Sequence, residues 1–205
     1  MLYQFAPSKD RILRPAEMQR QIRSRLPEDI TQADTGPRVL WRREGDGVIQ
    51  VQYPVRPRPS WLLPGSLTLP QVLDMRVLLE MLAPGQLWAF DLAANTVRRG
   101  RGGEYAVSPD EWLTGQHAEG AHAPAACEAT TSRATRSGFR VLAQIAGAQR
   151  RGTTGMSQEA RIRGVLEVED VEALQAALEE GIGRGKAQGL GMLSLSYPPR
   201  KGQGR

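Results

Sequence analysis

Near the C-terminal end of the chain, residues 181–191 read GIGRGKAQGLG and contain five glycines in eleven positions. Glycine adopts positive φ at no steric cost, and without a Cβ it lets an anion approach the backbone amides closely. Arg184 and Lys186 add positive charge inside the same segment. Together these features predict a loop that holds an anion such as a phosphate group. The glycines of this loop are Gly181, Gly183, Gly185, Gly189 and Gly191.

The loop does not fit the two best-known glycine motifs for phosphate binding. A Walker loop needs Ser or Thr directly after its lysine, whereas Ala187 follows Lys186. A dinucleotide fingerprint opens a helix after a strand, but this segment lies between a predicted helix and the last predicted strand. A tight turn that merely ends a helix is the simplest alternative. The position of the loop after the last helix of an arginine-rich chain favours the anion site.

A first helix carries a second set of residues that could meet an anion. Met18, Ile22 and Leu26 recur at helical spacing, with Pro15 suited to the first turn and Pro27 marking the stop. The opposite side of this helix carries Ala16, Gln19, Arg20 and Arg23. Residues 1–26 contain six bases and two acids, so the helix is a candidate anion-facing element. An ordinary solvated polar face is the alternative interpretation.

The order of predicted elements indicates the fold class. The first half reads as strand, helix, hairpin, helix and strand, which is the βαββαβ order of a ferredoxin-like domain. The segments are residues 2–5, 15–26, 38–43 with 48–53, 69–82 and 86–92. The second half repeats this order less clearly. Its segments are a strand ending at Val107, a helix start at 108–111, paired strands at 139–148 and 159–168, a helix after Asp170 and a closing strand at 190–195.

We therefore expect an α+β protein with two tandem ferredoxin-like (βαββαβ, RRM-like) domains. The first is expected to span residues 1–94. The second, which includes the glycine-rich loop, is expected to span residues 95–197. Residues 198–205 are expected to form a flexible tail.

Composition and charge restrict the class of protein. Apolar residues make up 40% of the 205 and charged residues 24%, which are globular proportions. The net charge is +5, and only three of the 27 basic residues are lysine. Arginine pairs bidentately with phosphate, so the bias suits a nucleic-acid partner, although a GC-rich genome gives the same composition. The single cysteine, Cys127, excludes an internal disulfide framework and a cysteine-based zinc site. With no signal peptide or long apolar run, we expect a cytoplasmic protein that does not contact membranes.

Several segments resemble the CasE-type CRISPR RNA endoribonucleases of type I-E Cascade, in the repeat-associated superfamily. The sequence GIGRGKAQGLGMLSL at 181–195 resembles the C-terminal glycine-rich loop and final strand of that family. RGVLEV at 163–168, LWAFDLAANTVRR at 87–99 and VLWR at 39–42 resemble its other strands and its linking segment. The resemblance covers nearly the whole chain and is weakest at 54–82 and 115–138.

This resemblance implies a function in processing CRISPR RNA. Members bind the stem-loop of a CRISPR repeat and cut at the 3′ base of the stem, with the neighbouring 2′-hydroxyl as the attacking group. No metal and no other cofactor takes part. Most members then stay bound to the crRNA and become a Cascade subunit, and we expect this protein to be a monomer on its own and to join the other Cascade subunits.

The first helix departs from the family pattern at the catalytic positions. The family has a segment like Tyr-x-Met/Leu-His, whereas this chain has Ala16 at the tyrosine position and Gln19 at the histidine position. Glutamine cannot accept the proton of the 2′-hydroxyl, and losing such a base typically costs ~10²–10⁴ in rate. Arg20 and Arg23 could still stabilise the charged phosphate and support slow cleavage. His117 and His122, in the weakly matching region, are the other candidates for a base.

Other arginines are expected to contact the RNA. We expect Arg150 and Arg151, on a predicted hairpin tip, to grip the RNA stem, with a solvated turn as the alternative. We expect Arg98, Arg99 and Arg101 to contact backbone phosphates. An acidic group is expected to face away from the RNA, and the tryptophans are expected in the core. The acidic residues are Glu167, Glu169, Asp170, Glu172, Glu179 and Glu180, and the tryptophans are Trp41, Trp61, Trp88 and Trp112.

Three functions remain open from the sequence. The chain could be a processing endoribonuclease that stays bound to its product, or a non-catalytic RNA-hairpin-binding subunit of Cascade. Cleavage of the repeat hairpin in EDTA separates these two, and with Gln19 in place we expect reduced or absent cleavage. The third possibility is a protein-interaction module with a decayed RNA site, which would fail to bind the hairpin even at low salt.

Overall fold

The computed structural model describes most of the chain and shows an α+β protein built on antiparallel sheets. The described residues are 2–5, 13–26, 38–44, 47–55, 71–100, 103–115, 131–147, 149–151 and 157–197. Contacts divide the chain into two compact units. The first comprises Met1–Met81 and Glu179–Met192, and the second comprises Leu82–Leu178 and Leu193–Arg205.

The first unit contains a four-stranded antiparallel sheet. Its elements are β1 Leu2–Phe5, α1 Pro15–Arg23, β2 Leu40–Arg43, β3 Ile49–Gln52, β4 Gln71–Leu73, α2 Met75–Met81 and a 3₁₀ turn at Lys186–Gln188. The strand order is β2-β3-β1-β4, so the hairpin β2–β3 lies on one side of β1 and the short strand β4 on the other.

Helix α1 is held in the first unit by its apolar face. It begins at Pro15, as predicted, and Met18 and Ile22 are buried against the hairpin. The hydroxyl of Tyr53 donates to the carbonyl oxygen of Ile22 at 3.2 Å and fixes the end of the helix. Full burial of a side chain of this size contributes about 1.5–3 kcal/mol. The face with Gln19 and the arginines is therefore fixed in orientation by the buried one.

The predicted hairpin is confirmed. Arg43 lies opposite Ile49 in the register of β2 and β3. In the connection, the amide of Glu44 donates to the carbonyl oxygen of Val48 at 2.7 Å, and Gly47 has φ +87°. Only a residue that tolerates positive φ suits that position, which is why the Asp46-Gly47 pair is a good turn signal.

The second unit contains a five-stranded antiparallel sheet and a separate two-stranded one. Its main path is β11-β5-β10-β8, and the short β9 pairs with the start of β10. Among the described strands, β6 and β7 pair only with each other. The elements are β5 Leu87–Asn95, β6 Val97–Gly100, β7 Gly103–Ala106, α3 Pro109–Thr114, α4 Arg133–Arg136, β8 Phe139–Ala146, β9 Arg150–Arg151, β10 Gln158–Val168, α5 Val171–Glu180 and β11 Leu193–Ser196.

The strand predicted at 86–92 was assigned to the wrong half. It is β5, which pairs with β10 and β11 of the second unit, and its alternate residues Trp88, Phe90 and Leu92 are buried there. The fourth strand of the first sheet is instead β4, at the beginning of the segment that we predicted to be helical, because residues 71–73 pair with β1. Helix α2 starts only at Met75.

The strand predicted to end at Val107 was also misplaced. We expected it to open the second βαββαβ unit, but residues 97–106 form the separate β6–β7 ribbon. Three other predictions for this half are confirmed: β8 pairs with β10, β11 closes the sheet, and Asp170 caps α5 by accepting the amide of Ala173 at 3.1 Å. Of the four tryptophans, Trp41, Trp88 and Trp112 are buried, and Trp61 lies outside the described residues.

The contact-based units therefore differ from the expected domains 1–94 and 95–197. Strand β5 brings residues from 82 onward into the second unit, since its pairing partners are all there. Residues 179–192, which include the whole glycine-rich loop, join the first unit instead of the second. The expected tail, 198–205, lies outside the described residues.

Candidate nucleic-acid interface

The glycine-rich loop is closed on itself by its own backbone. The amide of Ile182 donates to the carbonyl oxygen of Gly191 at 2.7 Å, and the amide of Leu190 donates to that of Gly185 at 3.2 Å. All five glycines have positive φ, between +76° and +89°, as the sequence predicted. Residues with a Cβ are strained at such angles, so the path of the loop depends on glycine.

The glycines are also required by close packing, which the sequence did not reveal. A Cβ at Gly189 would lie 2.9 Å from the ring of Trp41, and one at Gly181 would lie 3.0 Å from Cδ2 of Leu40. Both positions are therefore filled by residues of β2. At these two positions the missing Cβ makes room for the protein itself, and any anion has to meet the loop on another side.

Helix α1 and strand β2 both pack against the 3₁₀ turn Lys186–Gln188. The two candidate elements of the sequence, at opposite ends of the chain, therefore lie side by side within the first unit. This proximity turns two separate weak signals into one candidate site.

The exposed side of α1 carries the predicted residues. Ala16, Arg20 and Arg23 are exposed, whereas Gln19 is half-buried. The side-chain oxygen of Gln19 is buried and has no hydrogen-bond partner among the described residues. Neither Arg20 nor Arg23 forms an ion pair within the part of the chain that the structure describes. Two cations and one uncommitted amide thus lie on the helix next to the loop.

Lys186 is the half-buried cation of the loop. Burial lowers the pKa of its ammonium group from the usual value, and repulsion from Arg38 lowers it further, while Glu180 opposes the shift. Arg184 is exposed at the neighbouring position. Glu180 is one of the six acids that we expect to face away from the RNA, and its charge acts on Lys186 within the protein. Arg38, at the entry to β2, is a site residue that the sequence did not suggest, because only the fold brings it near Lys186.

The arginines after β5 belong to the second unit and differ in their roles. Arg98 is half-buried, and its guanidinium donates to the carbonyl oxygen of Glu111, which connects β6 to helix α3. Arg99 is exposed on the same strand. Arg101 lies outside the described residues. Of this predicted group, Arg99 is therefore more available to a ligand than Arg98.

The predicted basic hairpin is anchored at its base. Arg150 is exposed on β9, opposite Glu159 of β10, and Arg151 lies opposite Gln158. The side-chain amide of Gln149 donates to the carbonyl oxygen of Val107 at 2.7 Å and to the hydroxyl of Thr96 at 3.0 Å. The side chain of Arg151 and the tip at 152–156 lie outside what the structure describes.

The remaining candidate residues of the sequence lie outside the part of the chain that the structure describes. His117, His122 and Cys127 lie in the segment 116–130, for which no structure is described. Among the described residues, no group of three or more His, Cys, Asp or Glu side chains could hold a metal ion. None of the described helices is both long and apolar enough to cross a membrane.

Residues 4–196 match the family model described as CRISPR associated protein. The chain belongs to this family. A comparison with curated protein sequences finds no match.

Solved structures of CRISPR proteins resemble this chain over nearly its full length. CRISPR endoribonuclease Cse3 bound to a 19 nt RNA is 27% identical, with a TM-score of 0.73 over 95% of this chain and 97% of the other. Thermus thermophilus Cse3, bound to an RNA representing a pre-cleavage complex, is 26% identical, with a TM-score of 0.72 and coverage of 95% and 98%. Cas6e from Escherichia coli str. K-12 shares the fold at 17% identity, with a TM-score of 0.61 and coverage of 97% and 100%.

Proposed function

We propose that this chain binds the stem-loop of a CRISPR repeat RNA and retains it as the crRNA-bound subunit of a type I-E Cascade complex in the cytoplasm. The observation that carries this proposal is the packing of the glycine-rich loop against helix α1 within one unit. That arrangement brings the cations of α1 and of the loop into one part of the first unit. The structural likeness to Cse3 bound to RNA supports the same class of ligand.

We infer that each unit is a ferredoxin-like domain. In the first unit the order is β2-β3-β1-β4 with all neighbours antiparallel. In the second, β8, β10, β5 and β11 take the same four places. A βαββαβ chain in which the helices connect parallel strands produces this order. In the second unit, helices lie between β5 and β8 and between β10 and β11. In the first unit, α1 lies between β1 and β2, and residues 56–70, between β3 and β4, lie outside the described part of the chain.

RNA contacts by this surface would be mainly to phosphates. Arg20, Arg23, Arg184 and Lys186 carry the charge around the loop and α1, and the resemblance adds Arg99, Arg150 and Arg151 of the second unit. Arginine and lysine that neutralise phosphates release counterions, which gives strong binding with little dependence on base sequence. Specificity for a hairpin would then come from its shape and from the splayed nucleotides at the base of its stem.

Cleavage by this chain is expected to be slow or absent. A metal-independent cut needs a group that removes the proton from the 2′-hydroxyl, and Gln19, at the family histidine position, cannot do so. Arg20 and Arg23 can stabilise negative charge on the phosphate without acting as bases. The chain would then act as a holding subunit more than as a processing enzyme.

One experiment tests binding and cleavage together. The protein is incubated in EDTA with the repeat hairpin encoded beside its gene, and the complex and any cut RNA are resolved on native and denaturing gels. We expect a stable complex and little product. Cleavage at an ordinary rate would refute the non-catalytic function and leave binding intact. Failure to bind even at low salt would favour a protein-interaction module instead.

A further inference from the structure

Lys186 is held in place by the structure around it. The amide of Gly189 donates to its carbonyl oxygen at 3.2 Å, and the ring of Trp41 packs on Gly189. A Cβ at Gly191 would lie 3.3 Å from Cγ of Lys186, so the aliphatic part of this side chain lies directly on the last glycine of the loop. The position of the ammonium group is therefore restricted by the closed loop.

Arg38 lies just before strand β2, which packs against the 3₁₀ turn that begins at Lys186, and its charge repels the ammonium group of Lys186. The charge of Arg38 is the second-largest cause of the lowered pKa of Lys186, after burial, and Glu180 only partly offsets it. Neither cation forms an ion pair with a carboxylate of the described residues. Burial and Arg38 together outweigh Glu180 at Lys186, so a bound anion would favour the charged form of this side chain.

The other charged groups on the packed elements do not remove this excess. Arg20 and Arg23 of α1 and Arg43 of β2 are positive, and Glu17 is the only acid on α1. Arg42 of β2 is already paired with Glu44 at 2.8 Å. The surroundings of Lys186 therefore favour an anion.

We propose that Arg38 and Lys186 bind one phosphate group of the RNA between them. The proposal rests on the proposed RNA binding and adds Arg38 to it. A guanidinium offers a planar fork of donors and an ammonium a compact charge, so the two complement each other around one phosphate. A phosphate at this place would lie beside helix α1, where Gln19, Arg20 and Arg23 are found.

The small number of lysines allows a direct test. The chain has three, Lys9, Lys186 and Lys201, so reductive ¹³C-methylation produces only three lysine signals in an NMR spectrum. The variant Lys186→Arg identifies the signal of Lys186 by its loss. In the free protein this signal should titrate at a lower pH than is usual for a lysine. In the complex with the repeat hairpin, it should titrate at higher pH than in the free protein, because a bound anion favours the charged form.

The two proposals fail in different ways. If the hairpin binds and the titration of Lys186 is unchanged, the phosphate site is wrong while the proposed RNA binding stands. If no hairpin binds even at low salt, both are wrong.

Affinity measurements give a second, independent readout. Lys186→Met keeps the aliphatic part of the side chain but removes the charge, and Arg38→Ala removes the other cation. Each should weaken hairpin binding on the order of tenfold and lower the salt slope by about one. Because both would bind one phosphate, the double variant should lose less affinity than the product of the two single losses.

Arg136→Ala is the matched control, since it removes one exposed cation from helix α4 in the second unit. It should change affinity by less than twofold. Independent, fully multiplicative losses for Arg38→Ala and Lys186→Met would show that the two cations do not share a phosphate. Losses no larger than that of Arg136→Ala would exclude both from the RNA contact.

Discussion

Gly189 lies at φ +83° and against the ring of Trp41, so two physical effects exclude a side chain there. Positive φ disfavours any Cβ, and the ring would lie 2.9 Å from it. Only the first effect acts at Gly47, where φ is +87° but a Cβ would have no other atom within 4 Å. A comparison of Gly47 with Gly189 therefore distinguishes the cost of backbone strain from the added cost of a clash with Trp41.

We expect Gly189→Ala to lower the free energy of unfolding by about 2–4 kcal/mol, since clash adds to the ~1–2 kcal/mol of backbone strain. Gly47→Ala should lose only the strain, about 1 kcal/mol. Urea denaturation of the two variants measures the difference. Equal losses would show that Trp41 moves aside at little cost and does not hold the loop.

Gln19 is the residue on which the expected loss of activity depends. Replacing it by histidine should raise hairpin cleavage in EDTA by about 10²-fold, because histidine can accept the 2′-hydroxyl proton near neutral pH. The rate of Gln19→His should rise with pH up to roughly 6.5 and then level off.

Gln21→His is the control for this substitution, because it adds a histidine to the same helix on another face. It should leave the rate unchanged. If Gln19→His binds the hairpin normally and cleaves no faster, then Gln19 does not occupy the catalytic position, or Ala16 also has to be replaced.

At the level of elements, the neighbouring residues Arg98 and Arg99 of strand β6 have different roles. Arg98 donates to the carbonyl oxygen of Glu111 and joins β6 to helix α3, whereas Arg99 is exposed. A half-buried guanidinium bound to a backbone carbonyl stabilises the fold, and an exposed one is free to meet a ligand. The sequence RRG does not distinguish the two.

Arg98→Ala should therefore lower the free energy of unfolding by about 1–2 kcal/mol. Arg99→Ala should change it by less than about 0.5 kcal/mol but weaken RNA binding. Urea denaturation measures the stability of both variants, and gel-shift titrations measure their affinity for RNA. The opposite pattern, in which Arg99→Ala destabilises and Arg98→Ala does not, would contradict the hydrogen bond as a structural link.

At the scale of the whole molecule, we expect positive charge to control the affinity for RNA. The chain carries a net charge of +5, and five of the candidate cations are Arg20, Arg23, Arg38, Arg150 and Lys186. If these five neutralise four phosphates, with Arg38 and Lys186 sharing one, the slope of log affinity against log salt should be about −3 to −4. Fluorescence anisotropy at several salt concentrations measures it. An unstructured RNA of the same length serves as the control for hairpin shape. A slope near zero would assign binding to stacking and not to these cations.

The local elements could be predicted because their signals are local. Pro15 with apolar residues at helical spacing predicted α1, Asp46-Gly47 predicted the hairpin turn, and Asp170 predicted the start of α5. Each depends on backbone preferences within a few residues of the signal. The five positive-φ glycines of the loop are predictable for the same reason.

The sequence by itself thus determined helix α1, the β2–β3 hairpin and the start of α5, together with the basic character of the chain and the residues of the glycine-rich loop. Only the tertiary structure decided that β5 pairs in the second unit, that the loop joins the first, and that Arg38 lies near Lys186. The physical reason is that strand pairing and side-chain packing act between residues far apart in the chain. The alternation of β5 specifies which of its side chains are buried, but not the sheet that buries them.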